Sequence, residues 1–235
     1  GALKGKTVHQ KGSPVTGRIE SIPPSILTKY SSVVLAIDIM FVNKIPFLIT
    51  VSIGLKFGTV EVIKNRRVST IVAQLTRVIQ TYHRRGFRVA TIKADPEFDP
   101  VSESFQGVSF NLCGQNEHVP EIERYIRTGK DRTRSAYNSL PFQRIPRLMI
   151  IRMIGNSVFW LNAFPPNNGG TGGLSPRYLL TGQQLDYTKH VRLEFGAFAQ
   201  THEEHTNDMR ARTVGALCLG PTGNEQGGHY FKSLT

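Results

Sequence analysis

Residues 33–63 read VVLAIDIMFVNKIPFLITVSIGLKFGTVEVI. Three β-rich runs, VVLAIDIMFV, PFLITVSIGL and TVEVI, are separated by the short turn signals NKIP and KFG, which predicts a three-stranded antiparallel meander. The first run is hydrophobic almost throughout, as expected of an interior strand. Asp38 alone interrupts it. A carboxylate among apolar neighbours is costly unless it is paired, protonated or bound to a metal.

After the meander comes NRRVSTIVAQLTRVIQTYHRRGF, in which Ile71, Leu75, Val78, Ile79 and Tyr82 fall on one helix stripe. Gly86 supplies a left-handed stop behind a cationic last turn, and RVATIKAD then reads as a strand ending at Asp95. Taken singly, Asp38 and Asp95 each also read as a strand-end aspartate capping a turn. Taken together they fit that reading less well, because the order meander, helix, strand would set their two strands side by side. Asp99 and Glu97 lie close behind, but Asp95 directly ends the apolar strand.

Two carboxylates meeting across adjacent strands, joined by a third from a helix, make an all-oxygen site suited to Mg²⁺ or Mn²⁺ rather than zinc. Two such ions about 3.5–4 Å apart can activate a water or a 3′-hydroxyl in a phosphoryl displacement. VSFNLC is a fifth strand, and EIERYIRTGKDRTR (121–134) a following helix. Glu117, Glu121 and Glu123 compete for the third position. Arg127, Lys130 and Arg134 stand four, seven and eleven residues after Glu123, so this glutamate heads a basic stripe fit for a DNA backbone. Glu121 lies on roughly the opposite face. The plainer reading of the stripe is a solvated ladder of i,i+4 ion pairs.

The chain has 235 residues, 29 Lys plus Arg against 17 Asp plus Glu, and a formal charge of +12. That balance fits a phosphate-rich partner, and equally a merely soluble basic protein. Cys113 and Cys218 stand far apart with no CxxC, which indicates neither a disulfide framework nor a cysteine zinc site and favours a reducing, intracellular compartment. No apolar run reaches the roughly 18–20 residues of a membrane span, and GALKGKTVHQ is not a signal peptide. The missing initial Met and the ending YFKSLT suggest a piece of a longer polypeptide. IPRLMIIRMIGNSVFWLNAFP reads as a helix broken or kinked near Gly155 and stopped by Pro165 and Pro166, with Trp160 in the core. In the tail, EFGAFAQTH, TVGALCLGP and GGHYFKSL form short strands around turns. His202 and His205 of THEEH share a metal-site spacing but have no nearby cysteine, and read as structural or solvated. Lys64, Arg66, Arg67, Arg84, Arg85 and Arg88 flank the amphipathic helix and read as a soluble face that could also bind DNA.

The order of an Asp in a first strand, an Asp after a fourth strand and a Glu on a later helix resembles the catalytic triad of retroviral and retrotransposon integrases. IERYIRT (122–128) resembles the corresponding element of copia-type integrases, with Glu123 at the catalytic Glu and Ile126 where Asn is usual. NSVFWLNAFP (156–165), LSPRYLLTGQQLDYTKHVRLEFGAF (174–198) and RTVGALCLGPTGNEQGGHYF (212–231) are similar to the family's later blocks, in the family's order. Two departures stand out. Asp95 to Glu123 spans fewer positions than is usual, which keeps Glu121 as an alternative, and residues 1–32 lack the family's His/Cys zinc module.

The resemblance implies an α/β chain. Residues 1–32 would be a linker or peripheral arm, 33–166 a ribonuclease-H-like integrase catalytic core, 167–190 a loop and connecting segment, and 191–235 a small, truncated β-rich C-terminal module. It implies catalysis and metal binding (Mg²⁺ or Mn²⁺) by Asp38, Asp95 and Glu123, and DNA contacts by Arg127, Lys130 and Arg134. It further implies DNA ends and target duplex as partners, a homo-oligomer, no membrane, no small-molecule cofactor and a nuclear location. The rival expectations are an integrase-like DNA-binding or assembly protein whose chemistry has lapsed, with Gly129 breaking the helix that carries Glu123, and a related metal-dependent nuclease without strand transfer.

Overall fold

The computed structural model of the protein describes residues 14, 19–114, 119–167, 171–202 and 209–234. Helix α1 (Pro24–Lys29) precedes strands β1 (Ser32–Val42), β2 (Ile45–Ser52) and β3 (Gly58–Val62). Helix α2 (Val68–His83) leads to β4 (Arg88–Ala94), a 3-10 turn at Pro96–Phe98, α3 (Asp99–Ser102) and β5 (Ser109–Leu112). Helices α4 (Pro120–Asn138), α5 (Arg147–Ala163), α6 (Pro176–Thr181) and α7 (Tyr187–His190) follow, then β6 (Phe198–His202), β7 (Thr213–Pro221) and β8 (His229–Ser233). The chain divides into two compact units: one takes residues 18–135 and 157–184, and the other includes residues 136–156 and the segment from Leu185 onward.

In the first unit the strand order is β3-β2-β1-β4-β5. The β1–β2 and β2–β3 pairs are antiparallel, while β4 joins β1, and β5 joins β4, in parallel. An antiparallel meander extended by parallel strands through a helical crossover is the ribonuclease-H-like topology. The expected meander is therefore present, with β1 in the interior. Asn43 and Lys44 both take positive φ, 47° and 64°, the two-residue turn that matches the twist of a hairpin.

Side chains on a strand alternate between faces. On one face Val33, Leu35 and Ile37 of β1 join Leu48 and Ile92 in a core with Leu75, Val78, Ile79 and Tyr82 of α2. The opposite face carries Ala36, Asp38 and Met40, and α4 lies over it: Tyr125 packs so closely on Gly58 that a Cβ there would overlap the phenol. Gly58 begins the edge strand. Its N–H donates to Asn162 Oδ1 (2.9 Å) and its carbonyl accepts from Asn162 Nδ2 (2.7 Å), so one amide closes exposed strand edge.

Several expectations change. Within the expected arm, α1 is helical and places Ile26 in the core beside Ile22. Helix α5 runs uninterrupted through Gly155, and α4 through Gly129, which is buried. Trp160 is half-buried rather than core. The expected connecting segment holds α6 and α7, each started by a side-chain cap: Ser175 accepts from the Tyr178 N–H and Asp186 from the Thr188 N–H. Gly182 then ends α6 at φ 70°. The basic flank of α2 is partly internal as well. Arg85 donates to the carbonyls of Leu179 (3.0 Å) and Glu20 (2.9 Å), and Arg66 pairs with Glu97.

The second unit contains an antiparallel sheet, β6-β7-β8, as the tail pattern predicts. Its Tyr230 ring lies under the Arg152 guanidinium at 3.8 Å, and the His190 ring bonds the carbonyls of Asp186 (2.7 Å) and Asn224 (2.9 Å). Of the THEEH pair, His202 ends β6, and His205 lies outside the described residues.

Candidate active site

The parallel register pairs Ala36 of β1 with Lys93 of β4. Two residues farther along each strand are Asp38 and Asp95, brought to the same level of neighbouring strands, whose spacing is about 4.8 Å. Both are half-buried. Asp38 lies inside β1, so the apolar sheet fixes its backbone. Asp95 follows the last residue of β4 and opens the Pro96–Phe98 turn, its carbonyl accepting from the Phe98 N–H at 3.0 Å.

Burial pushes the Asp38 carboxyl up to about 6. The Ile39 N–H, donating to Asp38 Oδ1 at 2.6 Å, works against this. Asp95 and then Glu97 raise it further by like charge, and Lys130 lowers it. Asp38 thus lies among carboxylates, of which Glu97 is paired with Arg66, with Lys130 as the cation that acts on it, an arrangement that favours a proton or a cation on Asp38.

Lys130 also settles how α4 is turned. Glu123, Arg127, Lys130 and Arg134 occupy one stripe, so the stripe of Lys130 is on the Asp38 side of the helix. Glu121 is on the other stripe. With Arg124, Tyr125, Thr128 and Arg132 it lines a cavity against the β2–β3 connection, away from the aspartates. Glu123 and Arg127 are exposed; Arg134, at the far end, pairs with Asp131 at 2.7 Å. Glu117 lies outside the described residues. Asp99 opens α3, exposed.

Of the residues singled out in the sequence, the structure sets Asp38 and Asp95 on neighbouring strands with the charge of Lys130 reaching Asp38, while Glu123 is exposed two turns earlier on the same stripe of α4. Among the described residues no three His, Cys, Asp or Glu side chains gather as a metal site. Asp38 and Asp95 are hard oxygen donors of the kind Mg²⁺ and Mn²⁺ take. Sequence reasoning set Glu97 aside, yet its charge reaches Asp38; its place two residues after Asp95 was the available signal.

No family model matches the sequence. No curated protein matches it either. Among solved structures the chain is similar to the catalytic core domain of BIV integrase, at 17% identity over 63% of this chain and 92% of that one, with a TM-score of 0.46. It is similar also to the HTLV-2 integrase catalytic core domain in complex with magnesium. The trimeric form gives 15% identity, 63% and 95% coverage and a TM-score of 0.45; the dimeric form gives 13%, 64%, 95% and 0.45. These likenesses concern fold alone. No helix among the described residues is long and apolar enough to cross a membrane.

Proposed function

We propose that this chain is the integrase of a copia-like retrotransposon, a polynucleotidyl transferase that processes DNA 3′ ends and joins them to target DNA. The observation behind this reading is the β1–β4 register that sets Asp38 level with Asp95, on the sheet face served by the Glu123–Lys130 stripe. Asp38 and Asp95 would hold a divalent cation, with Glu123 of α4 as the third carboxylate of the set. Mg²⁺ or Mn²⁺ supplies there the Lewis acidity that readies a water or a 3′-hydroxyl for in-line attack and stabilises the leaving oxygen. Arg127, Lys130 and Arg134 bind the phosphates of the DNA end and keep its backbone beside the acids. The partners are element ends and target duplex in the nucleus, handled by a homo-oligomer.

Mg²⁺-dependent joining of a labelled DNA end tests this reading, with Asp38→Asn and Glu123→Gln as comparisons. Joined product from the wild type and a loss of at least 100-fold in both variants is expected. Equal activity in all three removes the site, and cleavage without joined product favours a nuclease. A second reading, a DNA-binding protein whose chemistry has lapsed, is favoured by Asp95 and Glu97 being the acids whose charge raises Asp38. It predicts DNA retention with no product in Mg²⁺ or Mn²⁺.

A further inference from the structure

On the side of α4 opposite Lys130 is a cavity of about 540 Å³, within the range of small-ligand sites. Glu121 and Tyr125 line it together with Lys56, Arg132, Trp160 and Phe164. Glu121 Oε2 and the Tyr125 hydroxyl are closed off from solvent and have no hydrogen-bond partner among the described residues. A buried acceptor and a buried hydroxyl left unpaired are a standing cost, relieved by a ligand that offers a donor to one and an acceptor to the other. The Trp160 and Phe164 rings stack at 26° with centroids 6.2 Å apart, giving the cavity a planar aromatic wall. Lys56 and Arg132 add positive charge suited to phosphate.

Aromatic wall, buried carboxylate and cations together describe a nucleotide, and we propose that this cavity binds an unpaired guanine nucleotide. Guanine presents adjacent N1–H and amino donors to the Glu121 carboxylate and its O6 to the Tyr125 hydroxyl. Its ring stacks on the aromatic wall, and Lys56 and Arg132 take the phosphate. Because both atoms are closed to water and the Tyr125 hydroxyl rests against Gly58, the base reaches them as the Glu121 and Tyr125 side chains turn toward the cavity, so binding is an induced fit. The site uses none of Asp38, Asp95 or Glu123 and stands apart from the proposed DNA chemistry. The nucleotide is either free or part of a single strand.

Trp160 is the chain's single tryptophan, so its emission reports on this cavity. The full chain is titrated with guanosine 5′-monophosphate, uridine 5′-monophosphate, inorganic phosphate and a guanine-containing single-stranded oligodeoxynucleotide. Saturable quenching by the guanine nucleotide is expected, at least tenfold tighter than by the uridine nucleotide. Glu121→Gln weakens it at least tenfold and Tyr125→Phe several-fold. Tighter binding of the oligonucleotide identifies a strand as the source, and tighter binding of the monophosphate a free nucleotide. The proposal is overturned if the guanine nucleotide gives no saturable change, if uridine nucleotide or phosphate alone matches it, or if the folded Glu121→Gln or Tyr125→Phe protein binds as the wild type does.

Discussion

The two faces of the five-stranded sheet are built from the same strands and end in opposite states. Toward α2, the buried polar groups of the meander are bonded within the chain: Thr50 to Thr59 (2.9 Å), and Ser52 to the backbone of Phe57. Toward α4, Asp38 sits among like charges, and Glu121 Oε2 and the Tyr125 hydroxyl have no hydrogen-bond partner among the described residues. The first face is the more nearly finished by folding, with Gln74 Oε1 of α2 left without a partner among the described residues. The second keeps Asp38 among like charges, so alternation along β1 separates packed apolar side chains from the carboxylate residue by residue.

The largest effect belongs on the finished face. Leu75 is fully buried in α2 against that core, and Leu75→Ala is expected to destabilise by about 3–4 kcal/mol, read as a lower urea midpoint at unchanged slope. A loss below about 1 kcal/mol would mean that this face is loosely packed and the contrast false. Gly58→Ala tests the other face. Its new methyl runs into the Tyr125 ring, so a loss of about 2 kcal/mol is expected. Combined with Tyr125→Ala the cost should shrink, because the obstacle is gone.

The finished face was also the legible one. β-rich apolar runs between turn signals announce β1 to β4, and a period-3.6 apolar stripe announces α2, since burying an apolar surface leaves its mark in local spacing. Asp38 was legible as a charge out of place, and its nearness to Asp95 followed from element order. Helix α1 was hidden behind Pro23 and Pro24, which look like a linker, although Ile22 and Ile26 stand four apart. The α4-side cavity was not legible, because it joins β2, α4 and α5 through contacts that no local pattern encodes. Trp160 looked like core because an apolar helix stripe does not reveal which of its members a neighbouring element leaves uncovered.

Asp38→Asn sharpens the comparison by changing charge at nearly constant shape. The wild-type carboxyl is raised from an ordinary 3.8 to about 6, so the folded protein holds that proton more tightly than the unfolded chain. Stability contributed by the neutral carboxyl is present below pH 4 and lost as pH rises through 6. At pH 7.5 the ionised Asp38 costs about 2 kcal/mol after allowance for its partial exposure. The Asn variant should exceed the wild type by about that amount at pH 7.5 and match it at pH 4. Added Mg²⁺ should raise the Tm of the wild type alone. A gain independent of pH would show that Asp38 feels no cluster.

The smallest effect concerns the helix that divides the two stripes. Gly129 costs a helix interior up to about 1 kcal/mol relative to Ala, chiefly through backbone freedom in the unfolded chain. Its carbonyl nevertheless accepts from Thr133 Oγ1 at 2.8 Å, and Thr133 Oγ1 meets Ser157 Oγ at 3.0 Å, so tertiary contacts hold the turn that propensity would weaken. A Cβ at 129 would have no atom within 4 Å beyond its own helix backbone and chain neighbours. Gly129→Ala is therefore expected to raise stability by about 0.5–1 kcal/mol, with slower amide exchange through 124–134. The same stiffening bears on how Glu123 approaches the aspartates. If closure needs α4 to bend at Gly129, Ala slows Mg²⁺-dependent joining while stability rises; if α4 moves as a rigid rod, joining is unchanged. A stability loss would mean that the glycine makes room for close packing, and that the continuity of α4 depends on the missing side chain.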